Sequence, residues 1–112
     1  MTNKDCIFCK IVSGEVRSNI VYEAKRVIAF PDINPIAATH ILIVPKKHIE
    51  SAVGFQKADT EDVMALFGAA KKLVDKNSLD AYRLAFNGGK FQHVPHLHMH
   101  LVAGKKIEWS KL

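Results

Sequence analysis

Residues 96–100 read His96-Leu97-His98-Met99-His100, three imidazoles alternating with apolar side chains, and Leu101 continues the alternation. Successive side chains of a strand point to opposite faces. The spacing therefore predicts a strand carrying His96, His98 and His100 on one face and Leu97, Met99 and Leu101 on the other. The apolar face requires a core to pack on, and the histidine face is left for chemistry. Neutral imidazole is both a metal ligand and a nucleophile near neutral pH. Two chemistries follow: a metal site, or covalent catalysis by a histidine.

A second set of residues bears on the metal reading. Cys6 and Cys9 have the two-residue spacing of half a zinc site, and His48 with one triad histidine would complete a closed, four-coordinate structural site. Such a set would staple the N-terminal segment to the sheet. The other metal reading is a catalytic three-histidine centre, for which no carboxylate stands close in sequence to orient the ligands. Left without metal, the two cysteines are thiols in a chain that carries no other cysteine.

Composition narrows the classes. A chain of 112 residues, 48% hydrophobic and 24% charged, is expected to form one globular domain over residues 1–112. No apolar run approaches the roughly 18 residues of a membrane span, and the polar N-terminus shows no signal peptide. A cytoplasmic protein without a membrane partner is expected, with its thiols reduced. The net charge of +5 comes from 16 basic and 11 acidic residues, with the basic ones scattered in pairs at most. That distribution argues against nucleic acid as the main partner and suits a small phosphorylated substrate.

The elements that must position these residues follow in order. Residues 6–12 read as a short helix stopped by Gly14. Residues 20–23 and 27–30 are β-rich runs around a charged turn, a hairpin. The stretch Pro31-Asp32-Ile33-Asn34-Pro35 breaks regular structure. Residues 40–44 are apolar on both faces, as in a central strand, and end at Pro45. Residues 59–76 form the longest helix, with Asp59 as N-cap, Asp62 in a capping-box-like position, and Val63, Leu66, Phe67, Ala70, Leu73 and Val74 as its core stripe. Residues 81–86 are a strand, Gly88-Gly89 turns the chain, and the histidine strand follows. Short links between successive strands predict an α+β domain with an antiparallel sheet. Pro95 lacks a backbone donor, which places its segment at an edge or a bulge. Trp109 in the tail is expected to pack against something.

The pattern His-apolar-His-apolar-His-apolar-apolar over residues 96–102 resembles the signature of the histidine triad (HIT) superfamily. The resemblance spans nearly the whole chain. Residues 6–11 resemble the N-terminal helix, residues 30–35 the segment that holds the nucleotide's sugar, and residues 39–49 the central strand of the histidine triad nucleotide-binding branch. It implies a HIT-like fold, a five-stranded antiparallel sheet with two helices, in a homodimer whose sheets join. It also implies hydrolysis or transfer at the α-phosphate of an AMP-type nucleotide, as in purine nucleoside phosphoramidases. No cofactor is required for that chemistry.

By the same resemblance His98 is the nucleophile, His100 and His40 complete its hydrogen-bond network, and His96 lines the phosphate pocket. Asn87 and Gln92 hold phosphate oxygens, Asp32 accepts from ribose hydroxyls, and Phe8, Ile11 and Ile33 wall the base pocket. Some bacterial members resemble a zinc arrangement in which His96 joins Cys6, Cys9 and His48. The sequence departs from the pattern in its short glycine segment, residues 88–91, in Pro95, and in a short tail that leaves specificity open. It also departs in His93, which stands where a Ser or Thr often protonates the leaving nitrogen; an imidazole there is a candidate general acid. A nucleotide-binding regulator that keeps the fold without using its chemistry is the alternative to an enzyme.

Overall fold

The long apolar run of the chain becomes the middle of its sheet. In a computed structural model that describes residues 3–104, 106–108, 110 and 112, β1 (Tyr22–Glu23), β2 (Val27–Pro31), β3 (Thr39–Pro45), β4 (Arg83–Ala85) and β5 (Met99–Ala103) form one sheet. Its order is β1-β2-β3-β5-β4, and every pairing is antiparallel. β3 is central and covered on both sides, which is why Ile41, Leu42, Ile43 and Val44 are apolar on both faces. Ile41 and Ile43 join Val27, Ala29, Met99 and Leu101 in a core under the long helix α2 (Thr60–Lys76). Leu42 and Val44 join Ile28 and Phe30 in a second core under the short helix α1 (Ile7–Ser13).

The helix ends explain themselves locally. Cys6 caps α1, its Sγ accepting from the Cys9 amide at 3.4 Å. Gly14 closes it with φ +83, a conformation that glycine adopts without strain. Asn77 ends α2, its side-chain amide donating to the Leu73 carbonyl at 2.8 Å.

Four local expectations change. Asp59 does not cap α2 with its side chain. Its Oδ2 accepts from the Gln56 amide at 2.8 Å, closing the 3₁₀ turn that leads into the helix, and its carboxylate also pairs with Lys47. Asp62 is drawn away from a capping role by Arg26, at 3.1 Å. Phe67 is not core. It is 46% exposed beside Phe86, because the helix turns it past the edge of the sheet while Ala69 fills the buried position. Pro95 lies neither in an edge strand nor in a bulge. β5 starts only at Met99 and runs between β3 and β4, and Pro95 sits in the preceding turn, where the His96 amide donates to the Val94 carbonyl at 2.8 Å. Trp109 lies outside the described residues.

Candidate active site and metal centre

The alternation of the histidine segment holds although its first half lies outside the strand ladder. Leu97, Met99 and Leu101 are buried under α2, so His96, His98 and His100 face the other side, the side of α1. Register then sets their neighbours. On β3, Leu42 pairs with His100 and His40 with Val102. On β4, Ala85 pairs with His100. Asn87, two residues beyond Ala85, arrives on the histidine side.

The hydrogen bonds fix the ring protons. The Ile36 amide donates to His40 Nδ1 at 3.1 Å, so a neutral His40 carries its proton on Nε2. That proton points to His100 Nδ1 at 2.9 Å and also faces Asp32 Oδ2 at 3.4 Å. His100 must then carry its own proton on Nε2, 3.4 Å from Asn87 Nδ2; two donors cannot bond, so this tautomer requires the Asn87 amide to be turned over, bringing its oxygen to the ring N–H. His98 donates from Nδ1 to the His96 carbonyl at 2.8 Å. Its Nε2 is left with the lone pair.

His98 lines a cleft of about 510 Å³. His98, His100, His40 and Asn87 form one end. Asp32 and Asn34 follow, and Phe8, Ile11 and Ile33 give it apolar walls. Phe8 stands edge-on to His98, with ring centroids 5.1 Å apart. His93 is exposed and lines the same cleft. Phe30, Pro31 and Leu42 of the sheet floor it, and sequence reasoning missed Ile7, Val16, Arg17, Ser18, Val94 and Leu112, which also line it; nothing in their types or spacing marks them. Gln92 is not brought to the cleft. Its amide nitrogen donates to the Glu50 and Val94 carbonyls at 2.8 and 3.0 Å, tying the glycine-rich turn to the loop after β3.

Burial sets the electrostatics. It lowers the pKa of His98 and of His40, the latter against the opposing pull of Asp32. It pushes His100 down to about 4, helped by His98 and His40. The rings are therefore neutral at cell pH, as the bonding pattern requires. A consequence for stability follows. The unfolded chain binds a proton at His100 near the ordinary 6.5, whereas the folded chain resists until about 4. Stability from this residue is full above pH 6.5 and is lost as pH falls toward 4. The loss at pH 4 is about 3 kcal/mol. Urea unfolding at pH 7 and pH 4 should show that much more loss for the native chain than for a His100→Gln variant. Equal losses would mean that His100 titrates as an ordinary imidazole.

His96 faces elsewhere. Its Nε2 donates to the Pro45 carbonyl at 2.9 Å, leaving the Nδ1 lone pair 3.3 Å from Cys6 Sγ and 3.5 Å from Cys9 Sγ. His48 Nδ1 stands 3.2 Å from Cys9 Sγ. The four ligand atoms lie within 4.8 Å of one another. A tetrahedral zinc ion with bonds of about 2.0–2.3 Å separates its ligands by roughly 3.3–3.8 Å, so the set fits one. The buried His48 Nε2 has no hydrogen-bond partner and lies 3.5 Å from Glu50 Oε1, the outer carboxylate that a zinc-bound imidazole commonly faces.

The three triad histidines do not converge on one point, which overturns the three-histidine metal centre. Among the described residues the ligand clusters are Cys6, Cys9, His48 and His96, and Asp32, His40 and His100; neither contains His98. A carboxylate does stand by the triad after all, Asp32, brought there by the turn after β2 rather than by closeness in sequence.

Fold and site together define a class in which a segment of three alternating histidines on an antiparallel sheet meets a cleft under a short helix. Comparison with known proteins agrees. Residues 5–111 match the family described as scavenger mRNA decapping enzyme C-term binding. A histidine triad protein from Clostridium difficile superimposes with a TM-score of 0.89 at 42% identity, over 96% of both chains. A HIT family hydrolase from Clostridium thermocellum gives a TM-score of 0.88 at 40% identity, over 93% of this chain and 94% of that one. The 14 kDa zinc-binding protein of Zea mays is 40% identical over 92% of this chain and 84% of its own length. The chain belongs to the histidine triad superfamily.

Proposed function

We propose that this protein is a nucleotide-binding hydrolase or transferase, one domain over residues 1–112, acting at the α-phosphate of nucleoside phosphoramidates or related AMP-type nucleotides. The observation that carries the reading is His98, held by the His96 carbonyl at 2.8 Å so that its Nε2 lone pair faces the cleft. His98 Nε2 attacks the α-phosphorus, a P–N bond to the histidine forms, and the bond to the leaving amine breaks. Water then attacks the nucleotidyl-histidine, releasing the nucleoside monophosphate and the free imidazole. The chain His40–His100–Asn87 holds the pocket in one protonation state and offers a ring N–H where charge grows on phosphate oxygens. Asp32 suits ribose hydroxyls, and Phe8, Ile11 and Ile33 suit a base. Gln92 would have to turn from its present carbonyl partners to meet a phosphate.

Incubation with an adenosine phosphoramidate, acid quenching and mass spectrometry test the reading. An adduct of nucleotide mass on the peptide carrying His98 is expected. Its absence alongside measurable turnover would overturn the covalent route, and binding without turnover would indicate a regulator.

His93 lies in the cleft wall with its ring exposed, a position from which it can protonate a departing amine. His93→Ala should slow phosphoramidates of basic amines by about 10² and spare substrates whose leaving group is a stable anion. Equal effects on both substrate types would remove His93 from that role.

Cys6, Cys9, His48 and His96 would hold a zinc ion, which would supply structural cross-linking rather than chemistry at phosphorus. Thiol ligands of this kind suit a reducing, cytoplasmic setting. No described helix is long and apolar enough to cross a membrane. β4 is an edge strand with Tyr82, Leu84 and Phe67 exposed beside it, and an open edge is a template for a second strand. A homodimer joined along β4 is the arrangement that this edge supports. Light scattering at micromolar concentration should report twice the 12.5 kDa chain mass; a monomer would exclude it.

A further inference from the structure

We propose that Cys6, Cys9 and His48 are positioning residues for the nucleophile, acting through His96; this rests on the reading of His98 as nucleophile and of the cysteine–histidine cluster as a metal site. His96 is the residue the two sites share. Its ring is fully buried and held at both nitrogens, by the Pro45 carbonyl at 2.9 Å on Nε2 and by the two thiols at 3.3 and 3.5 Å on Nδ1. Its main chain is held as well, the amide donating to the Val94 carbonyl at 2.8 Å. Its carbonyl is the acceptor that keeps the proton on His98 Nδ1.

The distance from ligand atom to tautomer-setting carbonyl is thus the span of one residue. A staple between α1 and the sheet needs no such choice. A Cys, His, Asp or Glu at another nearby position on the sheet would serve equally well as the fourth ligand, and the cluster uses the residue two before the nucleophile. α1 adds a second link, because Phe8, between the two cysteines, stands edge-on to both His96 and His98, at 5.8 and 5.1 Å. Filling the cluster fixes the orientation of His96, and with it the carbonyl that selects the reactive tautomer. Emptying the cluster frees the ring to turn, loosens that carbonyl, and lets His98 sample the tautomer whose proton sits on Nε2, where no lone pair is available for attack. The link is reciprocal: a ligand that engages His98 must alter the cluster.

The probes are cobalt(II), as a visible reporter of the cluster, AMP, and histidine ring ¹⁵N signals. Full-length protein loaded with cobalt should show a tetrahedral thiolate spectrum that changes when AMP is added. Zinc-loaded protein should show His98 as a single Nδ1–H tautomer, and metal-free protein, still folded by circular dichroism, a mixture of two. Metal removal should lower kcat on an adenosine phosphoramidate about 10- to 100-fold, the range for losing an orienting shell, with a much smaller change in KM. If metal-free protein unfolds, His48→Gln, which loosens the cluster while keeping both thiols and His96, should show a weaker form of the same change, a minor second His98 tautomer and a smaller fall in kcat. A cobalt spectrum blind to bound AMP, with one His98 tautomer in both states, would overturn the coupling and leave a plain staple. Failure to take up cobalt would overturn the metal reading and the coupling with it. Failure of AMP to bind in calorimetry would overturn the nucleotide reading instead.

Discussion

His98→Ala should abolish turnover of an adenosine phosphoramidate while AMP still binds. The expected loss in kcat is at least about 10³-fold, the scale on which removal of a covalent nucleophile is felt when the rest of the site survives. The other side chains in the cleft explain why binding persists. Asp32, Asn87, Phe8, Ile11 and Ile33 are untouched, and loss of one imidazole leaves a larger cleft rather than a blocked one. The neighbours should behave differently. His100→Ala breaks the bond to His40 at 2.9 Å and leaves that buried donor only the longer contact to Asp32 Oδ2 at 3.4 Å, so it should cost stability as well as rate. His98→Ala removes a ring that donates one hydrogen bond, to a main-chain carbonyl. Quenched-flow kinetics and calorimetry with AMP check the pair of expectations. An active His98→Ala variant beside an inactive His96→Ala or His100→Ala would place the nucleophile elsewhere.

Removing the metal ligands should have the largest effect on stability. Protein purified without chelator is expected to contain one zinc per chain, and Cys6→Ser/Cys9→Ser none. The cluster ties α1, the loop after β3 and the turn before β5, segments 39 to 90 residues apart in sequence. Structural zinc sites contribute apparent binding energies of about 10–16 kcal/mol in small peptides. Only part of that appears in a domain with cores of its own, so several kcal/mol is expected, a fall in Tm of roughly 10–20 °C. Differential scanning fluorimetry with and without chelator, beside metal analysis, checks it. Equal metal content in both proteins would remove the site, and turnover that survives at a reduced rate without metal would exclude metal-driven chemistry at phosphorus.

Local periodicity carried much of the fold. The alternation over residues 96–101 determined which side chains are buried under α2 and which are not, because a strand has only two faces. The apolar run over residues 41–44 determined a central strand, since only a strand covered on both sides hides both sets of side chains. Gly14 and Asn77 determined where the helices stop, through conformation and hydrogen bonding within a few residues. Tertiary structure decided what depends on neighbours far along the chain. Phe67 follows the helical stripe of Leu66 and Ala70, yet its exposure depends on where the sheet ends. Asp62 has the spacing of a capping residue, yet Arg26, 36 residues earlier, holds it. Asp32 reaches His40 only through the turn after β2, and the proton on each imidazole is set by partners such as the Ile36 amide and the Pro45 and His96 carbonyls. Main-chain donors and acceptors are the same at every position, so residue types cannot announce them. The sequence alone determined that three histidines share a face; only the folded chain decided that one looks to the thiols, one to the cleft and one to His40, because a ring's direction depends on the hydrogen-bond partners around it.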